Sequence, residues 1–290
     1  MRVLLTGATG FLGRHVAEAF VSDDHELAVV VRSSSRTDRL SGILPRVSLI
    51  DASSLEASVM AFRPHAVVHA ATCYGRRGEP ESELMEANVE FPLRLLKCAV
   101  DSQSVLFINS DTTLPAGLNG YTFTKSQFIR RSKPLVNGGI RFANVRLESL
   151  YGPGDDDTKF VTQVVKACVR DDAEMSLTHG EQSRDFIFID DAVAAYLMLL
   201  RQAATQAEPW QDYGLGTGVS TTIREFAEMV KRESASRTSL RFGALPDRAG
   251  ELMRSCADVD RLERLGWRYR TALVEGLRHV IAFERGAACD

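Results

Sequence analysis

A glycine-rich turn near the N-terminus constrains the fold of this 290-residue chain more than any other feature. The apolar run Val3-Leu4-Leu5 is typical of a buried strand, and apolar residues at 11–20 repeat at helical spacing. Between the two segments, Gly7, Gly10 and Gly13 form a Gly-x-x-Gly-x-x-Gly pattern. Glycines permit a tight turn and let backbone N–H groups at the helix start approach a pyrophosphate. The turn therefore predicts a strand–turn–helix unit that binds a dinucleotide.

Short apolar runs continue the strand pattern downstream. They lie at residues 27–31, 47–50, 66–71, 105–109 and 140–146. Helical patterns, notably at 83–100 and 121–135, separate several of them. Wholly apolar strands that alternate with helices predict a parallel sheet covered on both faces. We therefore expect an α/β fold with a doubly wound parallel (Rossmann) sheet, whose ligands bind beyond the carboxyl ends of the strands.

The pattern changes after residue 154, where the alternation becomes irregular and charged loops appear. We expect residues 1–154 to form a dinucleotide-binding domain and residues 155–290 to form a smaller α/β domain that binds the substrate. Within the second region, the segment 186–213 contains a clear helical pattern and is expected to pack back on the first domain.

Bulk composition excludes several classes of protein. The net charge of -3 gives no general reason to bind nucleic acid or an anionic membrane, and the longest apolar runs are only strand-length. The cysteines are odd in number, scattered and without metal-ligand spacing, which indicates reduced cytosolic thiols and no metal site. They are Cys73, Cys98, Cys168, Cys256 and Cys289. We therefore expect a cytoplasmic protein with no nucleic-acid or membrane partner.

The end of the second predicted strand favours one dinucleotide over the other. A site for NAD(H) usually has Asp or Glu there to accept from the ribose 2′-OH, but here the strand is followed by Arg32-Ser33-Ser34-Ser35-Arg36. Arg32 and Arg36 could hold a 2′-phosphate, with Ser33 or Ser34 donating a hydrogen bond. The alternative is a solvated basic loop. We expect NADP(H) rather than NAD(H).

Other residues at the carboxyl ends of the strands are expected to line the cofactor. Asp51 ends the third strand and could accept from the adenine amino group, while Ala70 and Ala71 are small where backbone must pass near the cofactor. His69 is expected to be a core residue rather than an acid–base group. The cofactor residues predicted so far are Gly7, Thr9, Gly10, Phe11, Leu12, Gly13, Arg32, Ser33, Arg36, Asp51, Ala52, Ala70 and Ala71.

Tyr121 and Lys125 are four residues apart in a predicted helix and therefore share one face. An ammonium beside a phenol favours the phenolate, so the tyrosine could exchange a proton nearer neutral pH. This spacing often arises by chance. Behind a dinucleotide turn it indicates catalysis, because the dinucleotide would carry a hydride and the tyrosine a proton.

These features resemble the extended short-chain dehydrogenases/reductases, the family of nucleotide-sugar epimerases, dehydratases and reductases. The matching segments are 6–13, 69–71, 88–89, 121–125, 146–154, 184–186, 248–251 and 265–267. The resemblance implies that Tyr121 is the general acid/base and that Lys125 holds the nicotinamide ribose and lowers the pKa of the tyrosine. It adds Asn88, Tyr121 and Lys125 to the cofactor residues. It also matches Ser110 to the hydroxyl that binds the reacting sugar oxygen, although a slip of one or two residues would nominate Thr112.

The resemblance also implies a nucleotide-diphospho-sugar substrate. Arg184 and Arg248 would clamp its pyrophosphate, since the arginine fork meets phosphate oxygens bidentately, and Glu251 would accept from its ribose. Each of these residues alone is more often a surface charge. The substrate residues predicted in this way are Tyr74, Ser110, Thr112, Ser149, Arg184, Arg248 and Glu251.

Departures from the family pattern narrow the range of reactions that the sequence predicts. Dehydratases of the family carry Asp-Glu after the catalytic Thr, whereas Thr112 follows Asp111 here, which disfavours dehydration. Epimerases usually carry a longer insertion with Tyr-Gly where this chain has Leu114-Pro115. The function of Glu148, in the 146–154 segment, stays open.

Three segments, 72–76, 147–156 and 180–186, are similar to CDP-abequose and CDP-paratose synthases, a subgroup that reduces a 4-keto-6-deoxy sugar nucleotide with NADPH. We therefore expect NADPH-dependent reduction of the C4 keto group of a nucleotide-diphospho-4-keto-6-deoxy sugar, with Tyr121 as proton donor. A C4 epimerase that uses the same residues is the alternative.

Two predicted helices carry apolar residues on more than one face, and these residues are Phe91, Leu95, Phe123 and Phe128. One face would pack on the sheet. The resemblance implies that the other pairs with a second subunit in a four-helix bundle, so we expect a homodimer. The alternative is that the second domain covers this face within one chain.

Overall fold

The computed structural model of the protein describes residues 1–136, 139–202, 208–247 and 250–287. The strands are β1 Arg2–Thr6, β2 Glu26–Val31, β3 Val47–Asp51, β4 Ala66–His69, β5 Leu106–Thr112, β6 Arg141–Leu147, β7 Ser149–Tyr151, β8 Glu174–Leu177, β9 Ser183–Phe188, β10 Trp210–Leu215, β11 Ser220–Thr222 and β12 Ser239–Phe242. The helices are α1 Phe11–Ser22, α2 Leu55–Phe62, α3 Glu81–Met85, α4 Phe91–Asp101, α5 Gly120–Ser132, α6 Phe160–Val169, α7 Ile189–Arg201, α8 Ile223–Glu233, α9 Asp260–Arg264 and α10 Leu273–Ala287. None of the helices in these described ranges is long and apolar enough to cross a membrane.

The chain forms two compact units. The first consists of Met1–Arg146 and Val193–Tyr213, and the second of Leu147–Ala192 and Gly214–Asp290. Two elements, α7 and β10, pass from one unit into the other. The first unit therefore includes part of α7, which lies in the later part of the chain.

The first unit is built on a seven-stranded sheet in the order β10-β6-β5-β4-β1-β2-β3. The pairs β1–β2, β2–β3, β1–β4 and β4–β5 are all parallel. Helices connect β1 to β2, β3 to β4 and β4 to β5, whereas two short 3-10 turns connect β2 to β3. The predicted doubly wound α/β fold is confirmed. Because the winding direction reverses between β1 and β4, a ligand crevice is expected at their carboxyl ends.

The strands form because nearly every side chain is apolar and can be buried on one face or the other. In β1, Val3, Leu4 and Leu5 are all fully buried, and successive side chains of a strand point to opposite faces. Leu4 packs in a cluster with Val67 and Phe107 of neighbouring strands and with residues of α2, α4 and α5. Each fully buried side chain of this size contributes about 1.5–3 kcal/mol. The sheet is therefore a rigid support for the loops at its edge.

The helix predicted at 83–100 is interrupted. It consists of α3, a π-helical segment at Glu86–Glu90, and α4. Wider π-helical turns are frequent at functional sites. This one carries the buried Asn88.

The four apolar residues that are predicted to lie on more than one face of these helices differ in solvent exposure. Leu95 and Phe128 are fully buried in the core of their own unit, and Phe91 packs partly buried against it. Phe123 on α5 is 44% exposed. The homodimer therefore stays a prediction. On α5, Phe123 is the residue of this set that is exposed enough to contact a second subunit.

The second unit contains a three-stranded sheet, β11-β9-β7, and a two-stranded sheet, β12-β8. The helices α6, α8 and α10 pack on one another. Asp185 of the Arg-Asp-Phe motif is fully buried, and its carboxylate accepts from the backbone N–H groups of Thr217, Gly218 and Ala257. This aspartate therefore ties the loops around β9 together.

Candidate active site

The glycine turn brings β1 against the end of β4. Gly7 has a φ of +77°, and a Cβ added there would lie 2.5 Å from the carbonyl carbon of Ala70 and from the nitrogen of Ala71. A Cβ on Gly13 would clash with the carbonyl oxygen of Gly7. Gly10 caps α1 without a side chain. The turn thus leaves a cradle at a helix N-terminus, which fits the pyrophosphate of a dinucleotide.

The remaining residues predicted in the turn lie around this cradle. Thr9, Phe11 and Leu12 are partly buried at the start of α1. The side chain of Thr6 hydrogen-bonds the Nδ1 atom of His69 at 2.8 Å and accepts from the N–H of Ala71 at 3.3 Å. Thr6 therefore fixes the end of β4 beside the turn.

His69 is a core residue, as expected from the sequence. It is buried among aromatic side chains, and burial holds the pKa of its imidazole well below its ordinary value, with the charge of Lys125 lowering it further. A neutral imidazole held by Thr6 is a support for the site rather than a proton donor.

The basic loop after β2 is a turn closed by hydrogen bonds between Arg32 and Ser35. Ser33 and the guanidinium-bearing Arg32 are exposed. Arg36 is also exposed, and its guanidinium pairs with Asp38 at 3.3 Å. A phosphate at this loop would therefore compete with Asp38 for Arg36, whereas Arg32 has no ion-pair partner among the described residues. Of the two arginines, Arg32 is the better placed to hold an anion.

Asp51 stands at the end of β3, where it caps the turn that follows. Its carboxylate accepts from both the N–H and the hydroxyl of Ser53, and the hydroxyl bond lowers its pKa most. Ala52 beside it is partly buried against the core. One carboxylate oxygen of Asp51 is thus engaged in shaping the loop.

Asn88 uses its whole amide on protein groups. Its oxygen accepts from the Thr72 hydroxyl at 3.0 Å and the Cys73 N–H at 2.8 Å. Its nitrogen donates to the Cys73 carbonyl at 2.8 Å and to the Thr124 hydroxyl at 3.0 Å. An amide offers two donors and two lone pairs, so Asn88 is satisfied here. It joins the loop after β4 to α5 and supports the wall of the site.

Four of the predicted catalytic and substrate residues meet at the end of β5. The Nζ atom of Lys125 donates to the backbone carbonyl of Ser110 at 2.6 Å. The Tyr121 hydroxyl hydrogen-bonds the side chain of Thr112. Ser110 and Thr112 alternate along the strand and therefore project from one face. The structure brings both candidate hydroxyls to this end of β5, and the hydrogen bond that lowers the pKa of Tyr121 is with Thr112.

The electrostatics of Tyr121 differ from the sequence expectation. Burial raises the pKa of its phenol far above the ordinary value, and Tyr74 and Asp111 add to this, while Thr112 and Arg76 oppose it. Lys125 is not among the largest contributors to this pKa, and its buried ammonium donates to the Ser110 carbonyl. Burial lowers the pKa of Lys125, against the charge of Asp111. The pKa shift is therefore opposite to the lowered value expected from the sequence, and Tyr121 stays protonated.

Tyr74 forms one wall beside the catalytic tyrosine candidate. Its ring centroid is 5.0 Å from that of Tyr121, and the Arg76 guanidinium lies 4.7 Å from the centroid of the Tyr74 ring. A cation over an aromatic face is favourable. The loop after β4 thus places an exposed aromatic ring and a positive charge next to Tyr121.

A polar network behind β5 was not found from the sequence. The side-chain nitrogen of Asn144 donates to Asp111 at 3.0 Å and to Asp212 at 2.8 Å, and Asn109 donates to the Asn144 oxygen at 2.8 Å. These residues come from β5, β6 and β10. The network fixes the position of the Asp111 carboxylate. The negative charge of this carboxylate favours the protonated form of Lys125.

Tyr196 was also missed. It is a fully buried residue of α7, and its hydroxyl lies 2.7 Å from the Oγ atom of Ser110. A tyrosine within an apolar helix needs a hydrogen-bond partner for its hydroxyl, which is the feature of the sequence that could have drawn attention to it.

The predicted substrate residues of the second unit form a group of their own. Arg184 pairs with Glu251 at 3.0 Å and donates to the Leu252 carbonyl at 2.6 Å. Burial lowers the pKa of the Arg184 guanidinium, and Glu251 and Glu148 oppose this. Ser149 begins β7, and Arg248 lies outside the described residues.

Glu148 is a buried carboxylate in this unit. Both of its oxygens lie within hydrogen-bond distance of the Ser255 hydroxyl, at 2.9 and 2.7 Å. It also adds negative charge near Arg184. Glu148, whose function the sequence leaves open, therefore helps to keep the Arg184 guanidinium charged inside this unit.

A parallel sheet with a glycine cradle at its switch point is the architecture of a dinucleotide-binding Rossmann protein. Residues 3–216 match the model of the NAD dependent epimerase/dehydratase family. This match covers well over half of the chain, and the protein belongs to that family.

Individual relatives agree with this assignment. The chain is 30% identical over 291 residues to the CDP-abequose synthase of Salmonella muenchen, and the match covers 98% of each protein. Its fold is similar to that of UDP-glucose 4-epimerase from Thermotoga maritima with UDP-glucose, with a TM-score of 0.87, 22% identity, and coverage of 99% of this chain and 100% of the other. The UDP-glucose 4-epimerase of Thermus thermophilus in complex with NAD gives a TM-score of 0.82 at 22% identity, with the same coverage.

Proposed function

We propose that this protein reduces the C4 keto group of a nucleotide-diphospho-4-keto-6-deoxy sugar with NADPH, and that Tyr121 is the proton donor. The observation that carries the proposal is the grouping of Tyr121 and Lys125 of α5 with the Ser110 and Thr112 hydroxyls at the end of β5. Reduction of a carbonyl needs an acid at the oxygen, and a phenol with a raised pKa holds its proton at neutral pH. Similarity to CDP-abequose synthase over nearly the whole chain supports the sugar-nucleotide substrate.

Each part of the site has a role in this reaction. The glycine turn and the start of α1 would hold the pyrophosphate of the cofactor. When bound, the reduced dinucleotide supplies the hydride that C4 of the sugar accepts. Tyr121 donates its proton to the C4 oxygen, which Ser110 or Thr112 hydrogen-bonds, and Lys125 keeps the end of β5 in place through the Ser110 carbonyl.

The second unit would bind the rest of the substrate. Arg184 is proposed to contact the diphosphate together with Arg248, and Glu251 to accept from the ribose. The Arg184–Glu251 pair supports this division, because it holds the guanidinium in place with part of its hydrogen-bonding capacity left for phosphate oxygens. Tyr74 and Ser149 are proposed as further substrate contacts.

The reaction is tested by its stoichiometry. We expect the purified protein to oxidise one NADPH for each molecule of a 4-keto-6-deoxyhexose nucleotide, offered in turn as its CDP, UDP, GDP and dTDP forms. A C4 epimerase, as the two structural relatives above are named, would instead interconvert the two C4 alcohols with no net loss of NADPH. Product analysis by NMR distinguishes the two. Epimer exchange without cofactor consumption contradicts the proposal.

The cofactor is tested at the loop after β2. We expect NADPH to bind at least about tenfold more tightly than NADH, because one charge-assisted bond from Arg32 contributes about 1.5–3 kcal/mol. Arg32→Ala should weaken the binding of NADPH and leave the binding of NADH unchanged. Arg39→Ala removes the same charge from the same exposed loop and serves as the control. Equal affinities of the unaltered protein for the two cofactors, measured by direct titration, contradict the assignment.

The remaining expectations from the sequence stay proposals. We propose a cytoplasmic homodimer whose partner surface includes Phe123, with no nucleic-acid or membrane partner. We also propose that the first unit is the cofactor-binding domain and that the second is the substrate-binding domain.

A further inference from the structure

Tyr196 has a buried hydroxyl whose position is unusual for a residue of an apolar helix. The side chain is fully buried, and its neighbours Ala195 and Leu199 on α7 are also fully buried. Its hydroxyl lies 2.7 Å from the Oγ atom of Ser110, which is separated from it by 86 residues. Phenylalanine would fill the same space without the need for a partner. The hydroxyl therefore serves the contact with Ser110.

Ser110 is held at two points. Its backbone carbonyl accepts from the Nζ atom of Lys125 at 2.6 Å, and its side chain meets Tyr196. Its side chain projects from the same face of β5 as that of Thr112, which bonds Tyr121. The strand end thus presents two hydroxyls side by side, each paired with a different tyrosine.

The direction of the Tyr196–Ser110 bond follows from the chemistry of the two groups. A phenol is a much stronger acid than an aliphatic alcohol, so it is the better donor. Burial raises the pKa of Tyr196 and outweighs the opposing effect of the hydrogen bond with Ser110, while Tyr74 and Asp111 add to the increase, so the phenol keeps its proton. When Tyr196 donates to the Ser110 oxygen, the serine's own proton is free to point elsewhere.

We infer that Tyr196 is a positioning residue that directs the hydroxyl proton of Ser110 toward the carbonyl oxygen of the substrate. The inference rests on the proposed function, because it needs a carbonyl at the end of β5. A chain of hydrogen bonds from Tyr196 through Ser110 to the substrate is cooperative, and each bond strengthens the next. The bond at the carbonyl strengthens further as negative charge develops on the oxygen, so its loss lowers kcat more than it raises KM.

The test is a double-mutant cycle with Tyr196→Phe and Ser110→Ala. Tyr196→Phe keeps the ring and removes one hydrogen bond, so we expect kcat to fall about threefold to tenfold, with KM for the sugar nucleotide within about twofold. In the Ser110→Ala background, the same substitution should change kcat no further. Ser110→Thr, which keeps a hydroxyl, should remain sensitive to Tyr196→Phe. Single-turnover measurements of NADPH oxidation extend the cycle to slow variants.

Two measurements separate a positioning role from a structural one. Thermal unfolding and direct titration of the sugar nucleotide should be nearly the same for Tyr196→Phe and the unaltered protein. Tyr151→Phe is the matched control, because it removes another buried phenol hydroxyl whose partner is a backbone carbonyl, that of Leu273 at 3.4 Å.

The outcomes of the double-mutant cycle distinguish failure of the inference about Tyr196 from failure of the proposed function. The same loss of kcat in the serine and alanine backgrounds, a loss matched by Tyr151→Phe, or an unchanged kcat each overturns the inference while leaving the reductase in place. An unaltered protein that reduces none of the 4-keto sugar nucleotides overturns the proposed function, and the inference with it.

Discussion

Replacing Tyr121 with phenylalanine is expected to lower the rate of sugar-nucleotide reduction about 100-fold or more, the usual contribution of a positioned acid. The substitution removes the phenol proton and keeps the ring beside Tyr74, so binding of the sugar nucleotide should be largely retained. Because the proton transfer occurs only in the chemical step, the loss should lie in kcat. Steady-state NADPH oxidation, together with a direct titration of the substrate, measures both quantities.

The control is Tyr269→Phe, an exposed tyrosine of the second unit, which should behave as the unaltered protein. If Tyr121→Phe retains near-normal turnover, Tyr121 is not the acid. A loss that appears only as weaker binding of the sugar nucleotide would assign the hydroxyl to recognition instead.

Much of the fold could be predicted because its causes are local in the sequence. The apolar run at 27–31 became β2 at Glu26–Val31, and Gly7 and Gly13 of the first turn occupy positions where a side chain has no room. The interruption of the helix at 83–100 was not predictable. The interruption contains Asn88, whose amide bonds the loop after β4 and Thr124, and these partners are visible only once the chain is folded.

The residues of the site were easier to nominate than their electrostatics. Spacing places Tyr121 and Lys125 on one face of α5, and from this alone a lowered tyrosine pKa is expected. The structure gives the opposite direction, because burial of the phenol is the largest contribution to its pKa. Burial is a tertiary property. The contact of Tyr196 with Ser110 and the network around Asn144 likewise join distant segments, so no local pattern reports them.

The pair Gly7 and Gly78 separates two costs of placing a side chain in a turn. Both residues have nearly the same positive φ, +77° and +78°, but a Cβ on Gly78 meets no atom within 4 Å. Gly78→Ala should therefore cost only the strain of a left-handed backbone, about 1–2 kcal/mol, with no effect on the dinucleotide. It is the matched control for Gly7→Ala.

Gly7→Ala adds an overlap to the same strain. Its Cβ would lie 2.5 Å from backbone atoms of Ala70 and Ala71, which cannot move without displacing the end of β4. Overpacking of this kind costs about 1–3 kcal/mol, so the expected loss of unfolding free energy is about 2–5 kcal/mol. The turn must also shift away from the cradle, and NADPH affinity should fall about 100-fold or more, equivalent to about 2.7 kcal/mol. Chemical denaturation and NADPH titration at a temperature where both variants are folded measure the two effects. Equal behaviour of Gly7→Ala and Gly78→Ala would show that close approach of β1 to β4 does not shape the cofactor site.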